Sequence, residues 1–255
     1  MPPITPRKVA PAVPAASILL IRDGRGGLEV LMTERAKTMR FAPGALVFPG
    51  GKVDTADMQR WRWQRYVNHN RRNLADASFR IAAVRELYEE TNILLGETKF
   101  EDVIRTKLSF DGLLSVGSVK LKLDEMEPFA HWVTPETVPR RFDTYFFLAA
   151  DDGHVEKHDG VEAVTARWYK PREILADWAN DKVPLMFPTR LNLMKLARSS
   201  TVASALQAAR QAPVIRVLPR VEMKDEGVNI TIQKSAGYGV TQASEKELSV
   251  EAVKR

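Results

Sequence analysis

Residues 78–91 read Ser-Phe-Arg-Ile-Ala-Ala-Val-Arg-Glu-Leu-Tyr-Glu-Glu-Thr, and this stretch has the pattern of an amphipathic α-helix. At about 100° per residue, its apolar side chains fall on one face of the helix. The opposite face carries three carboxylates, from Glu86, Glu89 and Glu90. The pattern predicts a helix that packs on a core along one side, presents an acid cluster on the other, and ends near Asn92.

The acid cluster carries an electrostatic cost. Like charges three and four residues apart oppose helix formation by a few tenths of a kcal/mol per pair, and negative charge near the C-terminal end opposes the helix dipole. Carboxylates are the hard oxygen ligands that Mg²⁺ or Mn²⁺ prefer, so a divalent cation would offset this cost. The alternative is a solvated acidic face in which Arg85 pairs with Glu89 across one turn.

Strands and helices alternate around this helix. Glycine supplies the positive φ of a tight turn at residues 23–27, which predicts a β-hairpin. Asp76 or Ser78 is expected to cap the acidic helix. The hairpin strands are predicted at residues 15–21 and 28–33, further strands at 45–48, 142–150 and 164–169, helices at 171–179 and 188–211, and a strand pair at 214–217 and 228–232. This interleaving predicts an α/β layered domain.

Composition narrows the class of protein. With 255 residues, 44% hydrophobic and 27% charged, the chain can bury a full core, which argues against wholesale disorder. No apolar run approaches the roughly 20 residues that a bilayer requires, so no membrane segment is expected. The absence of cysteine excludes thiolate chemistry. A net charge of +6 favours anionic partners such as phosphate esters. The proline-rich residues 1–14 predict a loose leader, and a cytoplasmic location is expected.

Gly51, Asp57 and residues 85–93 together resemble the Nudix box, Gly-x5-Glu-x7-Arg-Glu-U-x-Glu-Glu-x-Gly-U, in which U is aliphatic. This chain departs from the motif in three ways. Asp57 stands at the first glutamate, Asn92 stands at the late glycine, and twenty additional residues, at about 58–77, separate Asp57 from Arg85. Asparagine tolerates the left-handed conformation that ends a helix, whereas aspartate keeps the charge of glutamate with a shorter reach.

The region before the box resembles one branch of this family, the coenzyme A diphosphatases, some of whose members have an interrupted box. The branch signature is Leu-Leu-Thr-x-Arg-Ser/Ala-x3-Arg-x3-Gly-x3-Phe-Pro-Gly-Gly. Its positions are matched by Leu31, Thr33, Arg35, Ala36, Arg40, Gly44, Phe48, Pro49, Gly50 and Gly51, with Met32 in place of a leucine. Residues 140–148, which include Arg141, also look like this subgroup.

The resemblance implies a Nudix-type α/β/α sandwich with a mixed sheet over residues 15–180. Residues 181–242 are then expected to form a helical and strand extension packed on this domain, followed by a charged tail at 243–255. The implied reaction is metal-dependent hydrolysis of coenzyme A or acyl-coenzyme A to 3′,5′-ADP and 4′-phosphopantetheine or its acylated form. Mg²⁺ or Mn²⁺ is the implied cofactor, and a small nucleotide is the implied partner.

The resemblance also assigns candidate site residues. Glu86, Glu89, Glu90 and the Gly50 carbonyl are the expected metal ligands, and Glu162 is a further candidate as ligand or general base. Arg85 is expected to orient a box glutamate. The expected substrate-binding residues are Arg35, Arg40, Gly44, Phe48 and Arg141.

Several alternatives stay open at this level. A Nudix hydrolase could instead act on ADP-ribose, a dinucleoside polyphosphate or capped RNA. The insertion interleaves arginines with Trp61, Trp63 and Tyr66, which could hold RNA or a nucleotide, although nucleic acid is the less favoured partner. Its tryptophans could instead pack on the domain, or the insertion could form a substrate lid or a homodimer contact. His154 and His158 have metal-ligand spacing but sit in a predicted loop.

Overall fold

A computed structural model describes residues 9–38, 42–67, 76–98, 108–116, 118–151, 153, 166–224 and 227–244. Eight strands of this part of the chain form one mixed sheet. They are β1 (Ala12–Gly24), β2 (Gly27–Glu34), β3 (Leu46–Val47), β4 (Gly50–Lys52), β7 (Glu127–Val133), β8 (Arg141–Ala150), β9 (Ala166–Tyr169) and β10 (Arg216–Val217). The order is β10-β7-β8-β1-β2-β3, with β4 paired to β1 and β9 paired to β2.

β1 is the central strand and has three neighbours. It pairs in parallel with β8 along most of its length, from Ala12 opposite Arg141 to Ile21 opposite Ala150. On its other edge it pairs first with β4 and then with β2. The β1–β2 connection is the predicted hairpin, and Gly26 and Gly27 adopt φ values of 94° and 125° in its turn. Such values favour glycine because it has no Cβ.

Alternate side chains of β1 point to opposite faces of the sheet and enter two separate cores. Ile18 and Leu20 lie under α3 (Ala77–Thr91), whereas Leu19 and Ile21 pack in a second core. The second core is covered by α5 (Pro171–Ala179), α6 (Phe187–Leu196) and α7 (Val202–Gln211). Helices on both faces of a mixed sheet confirm the predicted α/β/α sandwich with C-terminal helices.

α3 buries the face that its sequence pattern predicts and ends where predicted. Asn92 follows its last residue with φ 59°, and its N–H donates to the carbonyl of Tyr88. The expected cap at the other end was wrong. Asp76 stands at the N-cap position, but its side chain makes no capping hydrogen bond; instead it accepts from Arg80 Nε at 2.8 Å. An arginine one turn away therefore competes successfully with the backbone amides.

The C-terminal region differs from the expectation in two respects. The predicted helix at 188–211 is broken between α6 and α7, where Thr201 begins α7 by accepting from the Ser204 N–H. The predicted strand pair was also wrong, because β10 pairs in parallel with β7. The predicted partner segment, 228–232, instead forms most of β12 (Gly227–Thr231). This strand lies in a separate sheet with β11 (Arg220–Lys224) and β13 (Gln242–Ser244).

The remaining described elements are short. α1 (Thr55–Met58) leads into the insertion, whose first part contains α2 (Arg60–Trp63) and a 3₁₀ turn at Gln64–Tyr66. Two small strands, β5 (Gly96–Glu97) and β6 (Lys120–Leu121), flank α4 (Phe110–Val116). Further 3₁₀ turns lie at Leu123–Glu125 and Lys234–Ala236. No helix in the described ranges has the length and apolar character to span a bilayer.

Candidate active site

The acidic end of α3 lies against β4. Gly50 N–H donates to Glu90 Oε2 at 3.3 Å. A Cβ atom added to Gly51 would lie only 2.3 Å from Glu86 Oε1, and one added to Gly50 would lie 2.5 Å from the Ala16 carbonyl oxygen. Neither position has space for a side chain, because the helix carboxylates and β1 both approach the backbone closely. The two glycines therefore let the acid cluster pack directly onto the sheet.

Arg85 joins the cluster to the segment before the insertion. Its Nη1 donates to Glu86 Oε1 and to Glu89 Oε2, each at 2.9 Å. Its Nε and Nη2 donate to the two carboxylate oxygens of Asp57 at 3.1 and 2.9 Å, and Nη2 also reaches the Lys52 carbonyl at 2.9 Å. Asp57 is only 2% exposed. Arg85 thus has one anchor on Asp57 that is independent of the two glutamates.

An additional positive charge would stabilise the carboxylates of this cluster. Burial and, to a smaller extent, the negative charge of Glu86 raise the pKa of Glu90 to about 8. The Gly50 hydrogen bond and the charge of Arg35 act in the opposite direction. Burial also raises the pKa of Glu86, although Arg85 opposes the change. Burial alone would lower the pKa of Arg85, but Asp57 and Glu86 outweigh it and the pKa is raised. Carboxylates that resist ionisation in this way are stabilised by a nearby cation.

The donor set fits a divalent cation in its chemistry. Three carboxylates and the Gly50 carbonyl are hard oxygen ligands of the kind that Mg²⁺ and Mn²⁺ accept. As the side chains stand, no three acidic or histidine residues among those described form a ready metal-binding group. Arg85 is one reason why the carboxylates are not arranged around a metal position, because its Nη1 binds one oxygen each of Glu86 and Glu89. Its separate anchor on Asp57 would let it release them and stay paired.

Arg35 and Gly44 lie on the same side of the fold as the acids. Arg35 follows β2 directly, and its charge is close enough to oppose the raised pKa of Glu90. Gly44 donates its N–H to the Arg35 carbonyl, and it adopts φ 71°. The turn at Gly44 therefore fixes the backbone from which Arg35 extends.

Two expected substrate-binding residues lie elsewhere. Arg141 is 7% exposed, and its guanidinium donates to the carbonyls of Thr134 and Ala10 at 3.0 and 2.7 Å. Phe48 is buried in the second core, where it contacts Phe146 edge to face. The structure thus gives Arg141 a role in holding the first strand and Phe48 a role in packing, and brings neither side chain to the acid cluster.

Some predictions lie outside the described residues. These concern Arg40, Glu162, His154, His158 and the basic residues 71–72 of the insertion. Within the described part of the insertion, Trp63 packs in the core under α3 while Trp61 remains 69% exposed. The predicted packing of the tryptophans therefore holds for one of the two.

Asp57 has a larger role in the site than its sequence position predicted. The shorter side chain placed its contact in doubt, yet Asp57 is the buried partner that binds two nitrogens of Arg85. Its helix is capped by a reciprocal pair of hydrogen bonds between Asp54 and Asp57. The Asp-x-x-Asp spacing of a capping box was the available signal.

Comparisons with known proteins agree with this geometry. A profile of the NUDIX domain matches residues 11–187. Putative nudix hydrolase 7 of Caenorhabditis elegans is 29% identical over 202 residues, which is 72% of this chain and 60% of that protein. Acyl-coenzyme A diphosphatase NUDT19 of Xenopus laevis is 25% identical over 231 residues, which is 68% of this chain and 61% of that protein. The chain thus spans about 60% of the length of these curated relatives.

A solved structure supports the same conclusion. The NUDIX hydrolase from Alicyclobacillus acidocaldarius superposes with a TM-score of 0.67 at 27% identity, covering 78% of this chain and 97% of that one. The profile match spans well over half of the chain, and it includes the acidic helix, the paired glycines and Arg85. On these grounds the chain belongs to the Nudix hydrolase family.

Proposed function

We propose that this protein is a Mg²⁺- or Mn²⁺-dependent Nudix pyrophosphohydrolase that cleaves the diphosphate of coenzyme A or acyl-coenzyme A. The products are 3′,5′-ADP and 4′-phosphopantetheine or its acylated form. One observation carries the proposal. Glu86 and Glu90 converge on the two glycines of β4, and Arg85 draws Glu89 to the same place.

The chain's own residues have distinct tasks in this reaction. Arg85, held by Asp57, orients the carboxylates of Glu86 and Glu89. Glu90 lies against the Gly50 amide and has the most strongly raised carboxyl pKa of the cluster. Arg35 supplies a positive charge on the side from which an anionic diphosphate would approach. A bound divalent cation would supply charge neutralisation for the diphosphate and acidify the attacking water.

Two observations support coenzyme A as the substrate class. The signature before the box, residues 31–51, resembles that of the coenzyme A branch, and the charge of its Arg35 opposes the raised pKa of Glu90. One relative is itself named an acyl-coenzyme A diphosphatase. ADP-ribose, dinucleoside polyphosphates and capped RNA are the competing substrates of the same chemistry.

A substrate panel tests the assignment. The full chain is incubated with Mg²⁺ or Mn²⁺ and coenzyme A, acetyl-coenzyme A, NADH, ADP-ribose, diadenosine polyphosphates, capped RNA or deoxynucleoside triphosphates, and products are identified by mass. We expect 3′,5′-ADP from coenzyme A as the fastest reaction. Efficient cleavage of another member without 3′,5′-ADP would remove the coenzyme A assignment and leave the family unchanged.

A matched pair of arginine variants sharpens the test. Arg35→Gln should raise the KM for coenzyme A by roughly 10- to 100-fold, since a charged hydrogen bond contributes about 1.5–3 kcal/mol. Arg141→Gln should leave KM within about twofold and instead lower the melting temperature, because its guanidinium holds two backbone carbonyls. The reverse pattern in steady-state kinetics and thermal unfolding would contradict the assignment of these two residues.

A further inference from the structure

The first part of the insertion is attached to the domain at several points. Trp63 Nε1 donates to the Asp57 carbonyl at 2.9 Å, and its ring is 7% exposed in the core under α3. Arg62 pairs with Asp111 of α4 at 2.6 Å. Lys120 Nζ donates to the Arg65 carbonyl at 2.8 Å. This segment is therefore fixed to α4 and β6 and, through Asp57, to the residue that binds Arg85.

The attachment acts on the residue that holds Arg85. Asp57 is one methylene shorter than the glutamate of the box motif, so its backbone must lie closer to the guanidinium for both oxygens to reach it. The structure shows that they do reach it, at 3.1 and 2.9 Å. Trp63 binds the backbone carbonyl of Asp57 itself, which fixes the point from which this short side chain extends.

We infer that Trp63 is a positioning residue of the active site, which compensates for the short Asp57 side chain and so keeps Arg85 aligned with Glu86 and Glu89. The contacts form a continuous relay from the indole to Asp57, from Asp57 to Arg85, and from Arg85 to the carboxylates. The insertion, which interrupts the box directly after Asp57, thereby supplies the support that the shortened side chain lacks. The inference rests on the proposed metal-dependent function.

Trp61 provides an internal control, because it belongs to the same short helix and is 69% exposed. Its side chain is absent from the core that contains Trp63. A contribution from tryptophan in general, or from the helix as a whole, would therefore be shared by both residues. A contribution through Asp57 would be confined to Trp63.

The test measures Mn²⁺ binding to the full chain by calorimetry without substrate, so that it does not depend on which diphosphate is cleaved. Trp63→Phe keeps a buried aromatic ring and removes the N–H donor. We expect Mn²⁺ affinity to fall roughly three- to tenfold, less than the 10- to 100-fold lost with a group that bonds a metal ligand directly, because Trp63 acts through Asp57 and Arg85. Trp61→Phe should stay within twofold of the unmodified protein. Thermal unfolding in EDTA monitors folding.

A compensating change separates positioning from simple packing. Asp57→Glu introduced with Trp63→Phe lengthens the side chain, and the relay predicts that it restores Mn²⁺ affinity to within about twofold. Unchanged affinity in Trp63→Phe, or a loss that Asp57→Glu does not relieve, would overturn the inference. If Trp63→Phe does not fold, Arg62→Gln removes a second anchor of the same segment. An affinity lowered about threefold, beyond the twofold range of the Trp61→Phe control, would support the relay, and an affinity inside that range would overturn it.

Failure of the inference can be told apart from failure of the proposed function. If the unmodified chain binds Mn²⁺ and the variants do not differ, only the role of Trp63 is lost. If the unmodified chain neither binds Mn²⁺ nor cleaves any panel substrate, the metal-dependent function itself is wrong, and the inference falls with it.

Discussion

The two faces of the central sheet bring different polar groups together. Under the C-terminal helices, Trp132 Nε1 donates to the Tyr238 hydroxyl, which donates to Asn192 Oδ1, both at 2.8 Å. Every group in that chain is uncharged. On the α3 face, Glu86 and Glu90 are crowded together in partly buried positions, and the pKa of both is raised.

We expect changes on one face to affect mainly stability and changes on the other to affect mainly activity. Uncharged groups that bind one another are buried at little cost, whereas crowded carboxylates are costly unless a cation joins them. The carboxylates of the α3 face therefore carry an electrostatic cost that a cation can relieve, whereas the C-terminal face carries the buried Arg190 and the half-buried Lys195, whose pKa burial lowers to about 8. Changes on the two faces should have separable effects on activity and on stability.

The largest separation is expected for Glu89→Gln. Removing one carboxylate of the proposed metal site should lower the rate of diphosphate hydrolysis by at least a hundredfold, since even supporting residues of metal sites cost 10- to 100-fold. The side chain is exposed at the helix surface, so the melting temperature should change little. Product formation at saturating Mg²⁺ and a thermal melt of the same sample measure both effects. Full activity in this variant would break the comparison on the α3 side.

A second test truncates a buried apolar side chain on the C-terminal face. Leu191 of α6 is fully buried, and Leu191→Ala should lower the free energy of unfolding by about 2–5 kcal/mol through lost contacts and a cavity. The exposed Gln207→Ala on α7 should stay within about 0.5 kcal/mol. Urea titration gives both values. Turnover per folded molecule should be unchanged in both variants, and a large loss in Leu191→Ala would show that the two faces are coupled.

The smallest effect concerns pH. Because the pKa of Glu90 is raised from 4.5 to about 8, the folded protein keeps a proton that the unfolded chain releases between these values. The contribution of Glu90 to metal-free stability should therefore be complete below pH 4.5, decline between pH 4.5 and 8, and be lost above pH 8. The stability of Glu90→Gln should not show this decline, because glutamine does not titrate. In EDTA, the variant should gain on the unmodified protein as pH rises from 5 to 8, by at most about 1.4 kcal/mol per pH unit.

The direction of this pH effect should depend on metal. Saturating Mn²⁺ favours the ionised carboxylate and should stabilise the unmodified protein more than Glu90→Gln. Thermal melts at three pH values, with EDTA and with Mn²⁺, measure the difference. A constant difference across pH in EDTA would mean that Glu90 titrates normally in the folded state.

The acidic helix was the most predictable part of the molecule. Its length, buried face and left-handed end at Asn92 all follow from local periodicity and from one residue's tolerance of positive φ. The hairpin was also predictable, because glycines mark its turn. These features depend on neighbours in sequence, which is why a single sequence contained them.

The errors arose where distant residues decide the outcome. Asp76 has the chemistry of a cap, but Arg80 takes its carboxylate. Arg141 has the chemistry of a substrate ligand, but its guanidinium instead donates to the Ala10 and Thr134 carbonyls. The break before α7 was signalled by Ser-Ser-Thr at 199–201, a capping sequence that the apolar pattern on both sides concealed.

β1 determines what can move during catalysis. The segment that carries the paired glycines is tied to it through Ile18 N–H to the Pro49 carbonyl, Ser17 Oγ to the same carbonyl, and Val53 N–H to the Pro14 carbonyl, each at 2.9 Å. Lifting this segment would break the central strand's own pairing. The floor of the proposed active site is thus fixed, and a bound metal and diphosphate would be accommodated by rotamer changes of Arg85 and the glutamates. Such changes occur within nanoseconds when side chains are accessible.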